Sequence, residues 1–447
     1  MSNTSARLAN DRFLPSQGIS WTLAQAAVCF LLFVSVVAPV VTVSSALPWF
    51  RVEQLALIPI GFIYLWLLLA GLARPVQLNA MVLIGAVYCI CILLSIFFGT
   101  FVLGHEFLYR DLYEIPKAVL PVIFFTLGLE SCLSEVWIRR TLTLFAVGVV
   151  LASLYAWAQW MDLGIAHQLV PIYSGGAHDE GSLAHYRRVY STMGNPNLLG
   201  QLMTWSVAAF TLAAMFRVGN RFRNFAIVCI SLVTLAMTGS RYGLLDTGLV
   251  FLLIFMLASS VRHRRRTLAV FLLVLVPLFG GIVFAVASSN KATLERFQSL
   301  RDPTQTDSFR GRIDELWPEA SEEIAISPLL GHGPAKVIFS DIVTDSEYLD
   351  VIKEFGIVGL LAYLAYYIYP MRRMWRGLRH QSRDPLFEER LPGTFWALQL
   401  SFIMVITALV MNIGMSTFYG EPIQGFFFLW MGIGVGAARK IVSAQPS

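Results

Sequence analysis

Charge is what this sequence has least of. Only 14% of its residues are charged, against about 25% in a soluble globular domain. With 56% hydrophobic residues, it cannot dress the outside of a water-soluble fold of its size. Cysteine is sparse as well: Cys29, Cys89, Cys91, Cys132 and Cys229 all lie in or beside apolar runs. They read as small core residues, and no disulfide framework or metal cluster is suggested. The signatures of several enzyme classes are missing. There is no Walker A loop, no GxSxG elbow, no HExxH and no GxGxxG opening a strand–helix unit. His332, in LLGHGPAK, has no second His or Cys at metal spacing, so neither a metal nor a cofactor is expected. No tandem repeat or low-complexity segment stands out. The N-terminus lacks a cleavable signal: about twenty polar residues precede the first apolar run, which reads as a retained signal anchor.

What is present is a series of apolar runs of roughly 18 residues or more. Lipid admits only helices or closed barrels, and these runs lack barrel-type alternation. The sequence therefore predicts an all-α integral membrane protein with about twelve transmembrane helices and a helical cap loop. The spans fall near 21–43, 54–72, 80–103, 115–131, 141–162, 197–216, 223–239, 242–260, 267–288, 348–369, 394–413 and 422–438. Residues 1–288 thus hold nine spans and a loop at about 163–196. Residues 289–347 form a large polar loop, and 348–447 hold the last three spans.

The basic residues orient this map. With the N-terminus in the cytoplasm, short inner loops carry more than half of the 33 Lys and Arg, as the positive-inside rule requires. The Arg-His-Arg-Arg-Arg cluster at 262–266 is then a topology anchor, and no nucleic-acid partner is expected. An even span count returns the C-terminus to the cytoplasm and puts both long loops outside. In the second loop Ile313, Leu316, Trp317, Ala320 and Ile324 share a helical face, with Asp307 or Ser308 as a possible cap. Pro318 would sit in the first turn or kink the helix. This stripe would pack the loop onto the membrane bundle.

Candidate functional residues gather on the outer side. Arg187 and Arg188 lie in the first loop, Arg241 in TGSRYG, and Arg310, Arg312, His332 and Lys336 in the second. Exposed cations are often simply solvated. Arg241, however, has only a short turn between two apolar runs, where an unpaired charge is costly. It needs an anion, either Asp246 or a ligand. The planar fork of arginine suits phosphate, and several converging arginines would suit a lipid pyrophosphate. Asp341, Asp345, Glu347, Asp350 and Glu354 precede or open the tenth span, and 347, 350 and 354 share a helical face. They either take a proton from a sugar hydroxyl or complement the helix dipole. Asn195 and Asn197, in MGNPNLLG, either begin a span, with Asn195 as cap and Pro196 in the first turn, or contact substrate, as does Tyr348 beside Glu347.

Three blocks together resemble the O-antigen ligase and O-antigen polymerase superfamily of bacterial envelope glycan enzymes. They are RRVYSTMGNPNLLGQLM, LAMTGSRYGLLDTGLV, and GRIDELW with SPLLGHGPAK and DSEYLDVIKEFGIVGLLAYL. The likeness covers roughly residues 188–364. It implies a multi-pass inner-membrane glycosyltransferase with a periplasmic site and no cofactor. Such an enzyme moves a glycan from undecaprenyl pyrophosphate to an acceptor hydroxyl by an inverting, metal-independent displacement. Arg188 and Arg241 would grip the pyrophosphate, supplemented by Arg310 or Arg312. One departure matters. Ligases of this superfamily read His-Asn-x-x-Leu before the tenth span, and here the block is Asp345-Ser346-Glu347-Tyr348-Leu349. The acidic version resembles polymerases, with Asp345 as the base and Glu347 as the alternative. The expected activity is therefore polymerisation onto a lipid-linked repeat unit, with ligation to lipid A core or protein as the alternative. A flippase ranks lower, because the halves do not look repeated and polar residues concentrate at one surface. The implied partners are the lipid-linked glycan and, in the same pathway, a chain-length regulator and a flippase.

Overall fold

The computed structural model describes residues 19–41, 50–71, 79–131, 134–174, 188–258, 262–288, 294, 307–335, 344–381, 390–415 and 421–444. Its helices, in order, are α1 (Ile19–Val37), α2 (Val52–Leu69), α3 (Ala80–Phe101), α4 (Glu114–Ser131), α5 (Glu135–Trp160), α6 (Gly164–Ser174), α7 (Pro196–Met215), α8 (Arg221–Thr238), α9 (Arg241–Ala258), α10 (Arg262–Ser288), α11 (Trp317–Ile326), α12 (Glu347–Gln381), α13 (Pro392–Met411) and α14 (Glu421–Ser443). The sheet among the described residues is a two-residue antiparallel pair, β1 (Val40–Val41) with β2 (Phe50–Arg51). Nine helices among the described residues are long and apolar enough to cross a membrane. The fold is an all-α, multi-pass one. The remaining runs expected to span correspond to α1, α9 and α10.

The bundle has an inside and an outside. The α7 span is entirely buried and those of α13 and α14 are 83% buried, whereas α2 is 11% buried. α2 turns Phe62, Trp66 and Leu69 outward, as a lipid-facing helix does. Close packing depends on small residues. A Cβ on Gly128 would come 2.2 Å from the Leu429 carbonyl oxygen, and one on Gly432 would come 2.0 Å from that of Phe125. α4 and α14 therefore touch backbone to backbone, the contact that replaces a hydrophobic driving force in lipid.

α12 is not one straight helix. Gly356 has φ 65° and ψ −174°, and the chain folds back on itself there. The Tyr348 ring lies 6.2 Å from that of Tyr363, whereas a straight helix would separate the two by about 22 Å. Such a break orphans carbonyls on one side and amides on the other, and the turn at 327–333 satisfies both sets. The amides of His332 and Gly333 donate to the carbonyls of Lys353 and Glu354 at 3.0 and 2.8 Å. The carbonyls of Pro328 and Leu329 accept from Ile357 and Val358 at 2.9 and 3.4 Å. A Cβ on Gly356 would lie 2.1 Å from the Leu329 carbonyl oxygen, so with its positive φ only glycine fits. The expected span 348–369 is corrected accordingly. Residues 347–355 form a separate arm, because the apolar run continues across Gly356 and hydropathy does not register a backbone reversal.

Within the described part of the second loop, residues 307–326 are helical. A helical turn at Asp307–Arg310 runs into a widened turn, Gly311–Leu316, in which the Trp317 amide donates to the Arg312 carbonyl. Pro318 follows directly and has no amide to donate, which favours slippage of the ladder at this point. Ala320 is buried and Trp317 Nε1 donates to the Thr344 carbonyl at 3.1 Å. Ile313 remains 41% exposed, so the loop docks through the later part of its apolar stripe.

Candidate functional site

The first block folds into a corner around Asn197. Asn195 Oδ1 accepts from the Asn197 amide at 2.8 Å, with Pro196 in the first turn of α7. Asn195 is thus a helix cap. This leaves the Asn197 side chain available to its neighbours. Its Oδ1 accepts Arg188 Nη2 at 2.9 Å and Ser240 Oγ at 3.1 Å. Arg188 Nε donates to the Thr238 carbonyl at 3.0 Å, a terminal carbonyl of α8. A guanidinium there satisfies an orphan acceptor and meets the negative end of a helix dipole. Ser240 Oγ in turn accepts the Gly243 amide at 3.1 Å, which caps α9.

Arg241 opens α9, beside this corner. Asp246 is not its counter-ion: the buried Asp246 carboxylate makes no hydrogen bond with either oxygen. Arg312, widely separated in sequence, comes close enough to Arg241 for the two cations to repel each other. Tyr242 lies against Arg312. Arg312 Nη1 donates to Tyr242 Oη at 2.6 Å, and the guanidinium carbon sits 5.4 Å from the Tyr242 ring centroid. The other edge of Arg312 faces Asp345, whose Oδ2 accepts from Nε at 3.1 Å and from Nη2 at 2.9 Å. Asp345 is a non-glycine residue at φ 56°, a left-handed conformation that costs about 1–3 kcal/mol and is kept where the surroundings impose it. Here Thr344 imposes it, donating its hydroxyl to the Ser346 carbonyl at 2.9 Å and accepting the Ser346 amide at 3.1 Å.

Asp345 and Glu347 point to different surroundings. The Asp345 side chain is 49% exposed, whereas Glu347 is fully buried. The Glu347 amide donates to the Asn412 carbonyl at 3.0 Å. Asn412 Nδ2 donates to Tyr363 Oη and Tyr367 Oη at 2.7 and 3.1 Å, and Glu347 is close enough to act on both phenols electrostatically. Tyr348 Oη donates to the Leu409 carbonyl at 2.5 Å. Glu347 and Tyr348 thus anchor the arm to the end of α13, and of the two carboxylates only Asp345 faces outward.

His332 has a different place from the one its sequence context suggests. It is 2% exposed, and its amide closes the Gly356 break. Its Nε2 lies 2.8 Å from the Glu323 carbonyl oxygen, which can only accept, so Nδ1 is left to accept from His105 Nε2 at 3.0 Å. His332 thus braces the Gly356 break, its amide bonded to the Lys353 carbonyl. Arg310 is exposed on the helical turn before Arg312. Arg187 and Lys336 lie outside the described residues. Among the described residues, no three His, Cys, Asp or Glu side chains are placed to hold a metal ion.

One end of the bundle therefore carries three arginines, a tyrosine and a half-exposed carboxylate. Such a set can bind a polyanion and accept a proton beside it. Residues 226–364 match the family described as O-antigen ligase. That stretch is similar to the O-antigen ligase and polymerase superfamily. The match spans Arg241, Tyr242, Arg312, Asp345 and the Gly356 fold-back, and it supports a ligase- or polymerase-type function in a multi-pass inner-membrane protein. No curated protein matches the chain. Tyr242, Ser240 and Asn412 escape a reading by motif. Tyr242 had one available signal, its place next to Arg241, but its bond to Arg312 spans 70 positions.

Proposed function

We propose that this protein is a periplasmic glycan polymerase of the inner membrane. It transfers a growing chain from undecaprenyl pyrophosphate to a hydroxyl of a lipid-linked repeat unit. The acceptor oxygen attacks the anomeric carbon with inversion, and the bond from that carbon to the pyrophosphate oxygen breaks. The hydroxyl proton passes to Asp345, and the electron pair leaves on the pyrophosphate. Arg188, Arg241 and Arg312 stabilise the charge growing there, a preorganised electrostatic role that requires no metal. Asp345 is preferred to Glu347 as base because only the former is open to an incoming hydroxyl.

The observation that carries this reading is the convergence of Arg241, Arg312 and Asp345 around Tyr242. The family description favours a second reading, ligation to lipid A core or protein, for which the acceptor differs and the donor chemistry is the same. Membranes supplied with lipid-linked repeat units alone separate the two. A ladder of products is expected. Product only on addition of a lipid A core or protein acceptor would make the enzyme a ligase.

A further inference from the structure

On the reading that the donor is a lipid pyrophosphate, we infer that the pyrophosphate and Asp345 compete for the Arg312 guanidinium, so that donor binding releases the exposed base from its ion pair. Each guanidinium nitrogen of Arg312 already has a partner in this structure. Its Nε and Nη2 edge is turned to Asp345 and its Nη1 to Tyr242. A carboxylate oxygen that accepts two guanidinium N–H groups is a poor acceptor for a hydroxyl proton. The same edge is what a phosphate needs, since a guanidinium can offer an oxyanion two charge-assisted bonds.

The surroundings favour exchange. Arg241 lies within electrostatic reach of Arg312, and Asp345 supplies one negative charge to Arg312. A pyrophosphate bears more than one charge and can bridge both arginines. Asp345 is held at φ 56° on a half-exposed turn, so losing Arg312 returns it to solvent and not to an apolar interior. Tyr242 stays with Nη1 as a pivot and keeps the guanidinium at the site during the exchange. A Cβ on Gly414 would approach Tyr242 Oη to 2.2 Å, so the end of α13 fixes where that pivot stands. Donor therefore binds before the acceptor hydroxyl is activated.

A carboxylate that competes with a ligand scales the ligand's apparent affinity by the fraction of protein it leaves free. Equilibrium binding of undecaprenyl pyrophosphate to the full-length protein in detergent tests this. Asp345→Asn should bind about two- to fivefold more tightly than wild type, as expected for loss of one partly exposed ion pair, although its turnover collapses. Asparagine tolerates positive φ, so the variant keeps the turn. Arg312→Gln should bind more weakly, and Asp345→Asn should give no gain in that background. Unchanged or weaker binding by Asp345→Asn, with Arg312→Gln impaired, overturns the competition. Wild-type affinity in both Arg312→Gln and Arg241→Ala overturns the pyrophosphate reading itself.

Discussion

Arg188 reaches its place through Asn197, donating Nη2 to the Asn197 side-chain oxygen at 2.9 Å. A guanidinium from the first loop is thereby tied to the first turn of α7 and, through the same oxygen, to Ser240. The positioning predicts a clear mutant. Asn197→Ala should leave the protein in the membrane and reduce glycan transfer on the order of tenfold, the loss expected for one hydrogen bond to a charged group. Product chain length and turnover in isolated membranes measure it. Unaltered turnover would free Arg188 from this anchor.

The fold-back makes a second prediction. Gly356→Ala places a Cβ against the Leu329 carbonyl and forces a positive φ on alanine. It should lower the thermal unfolding temperature and, by releasing the arm, abolish transfer. A cost of about 2 kcal/mol or more is expected from backbone strain plus steric overlap. Gly164→Ala, whose Cβ meets nothing within 4 Å, is the control and should behave as wild type.

Acid should loosen the same region. Burial lowers the His105 imidazole below its ordinary 6.5, His332 adds to the effect and Glu323 opposes it. The unfolded chain therefore takes up the proton first as pH falls. The contribution of this contact is complete above the ordinary imidazole value and is lost as the pH drops through the lowered one. Unfolding temperatures between about pH 7.5 and about pH 5 should fall on acidification, and His105→Gln should flatten that slope. A slope unchanged in the variant would remove His105 from the effect.

Sidedness is open to direct test. In a background without other cysteines, Leu300→Cys should react with an impermeant thiol reagent added to intact spheroplasts. His380→Cys should react only after permeabilisation. The reverse pattern would put the arginine cluster on the cytoplasmic side and end the periplasmic reading.

The sequence alone determined that this is a helical membrane protein, roughly where its helices lie, and which arginines merit attention. Those properties are local. A run of apolar residues must pair its own backbone in lipid, and a charge between two such runs must find an anion, whatever the rest of the chain does. Arg188, Arg241, Arg312 and Asp345 were legible on that basis and on the pattern of their blocks. Only the tertiary structure decided how they meet. The break at Gly356 is invisible to hydropathy, because its orphaned amides and carbonyls are satisfied by residues 327–333, far from it in the chain. That reversal buries Glu347 against Asn412, leaves Asp345 facing outward, and turns the conspicuous His332 into part of a brace. It also brings Asp345 to Arg312 and Arg312 to Tyr242, contacts that no local pattern encodes.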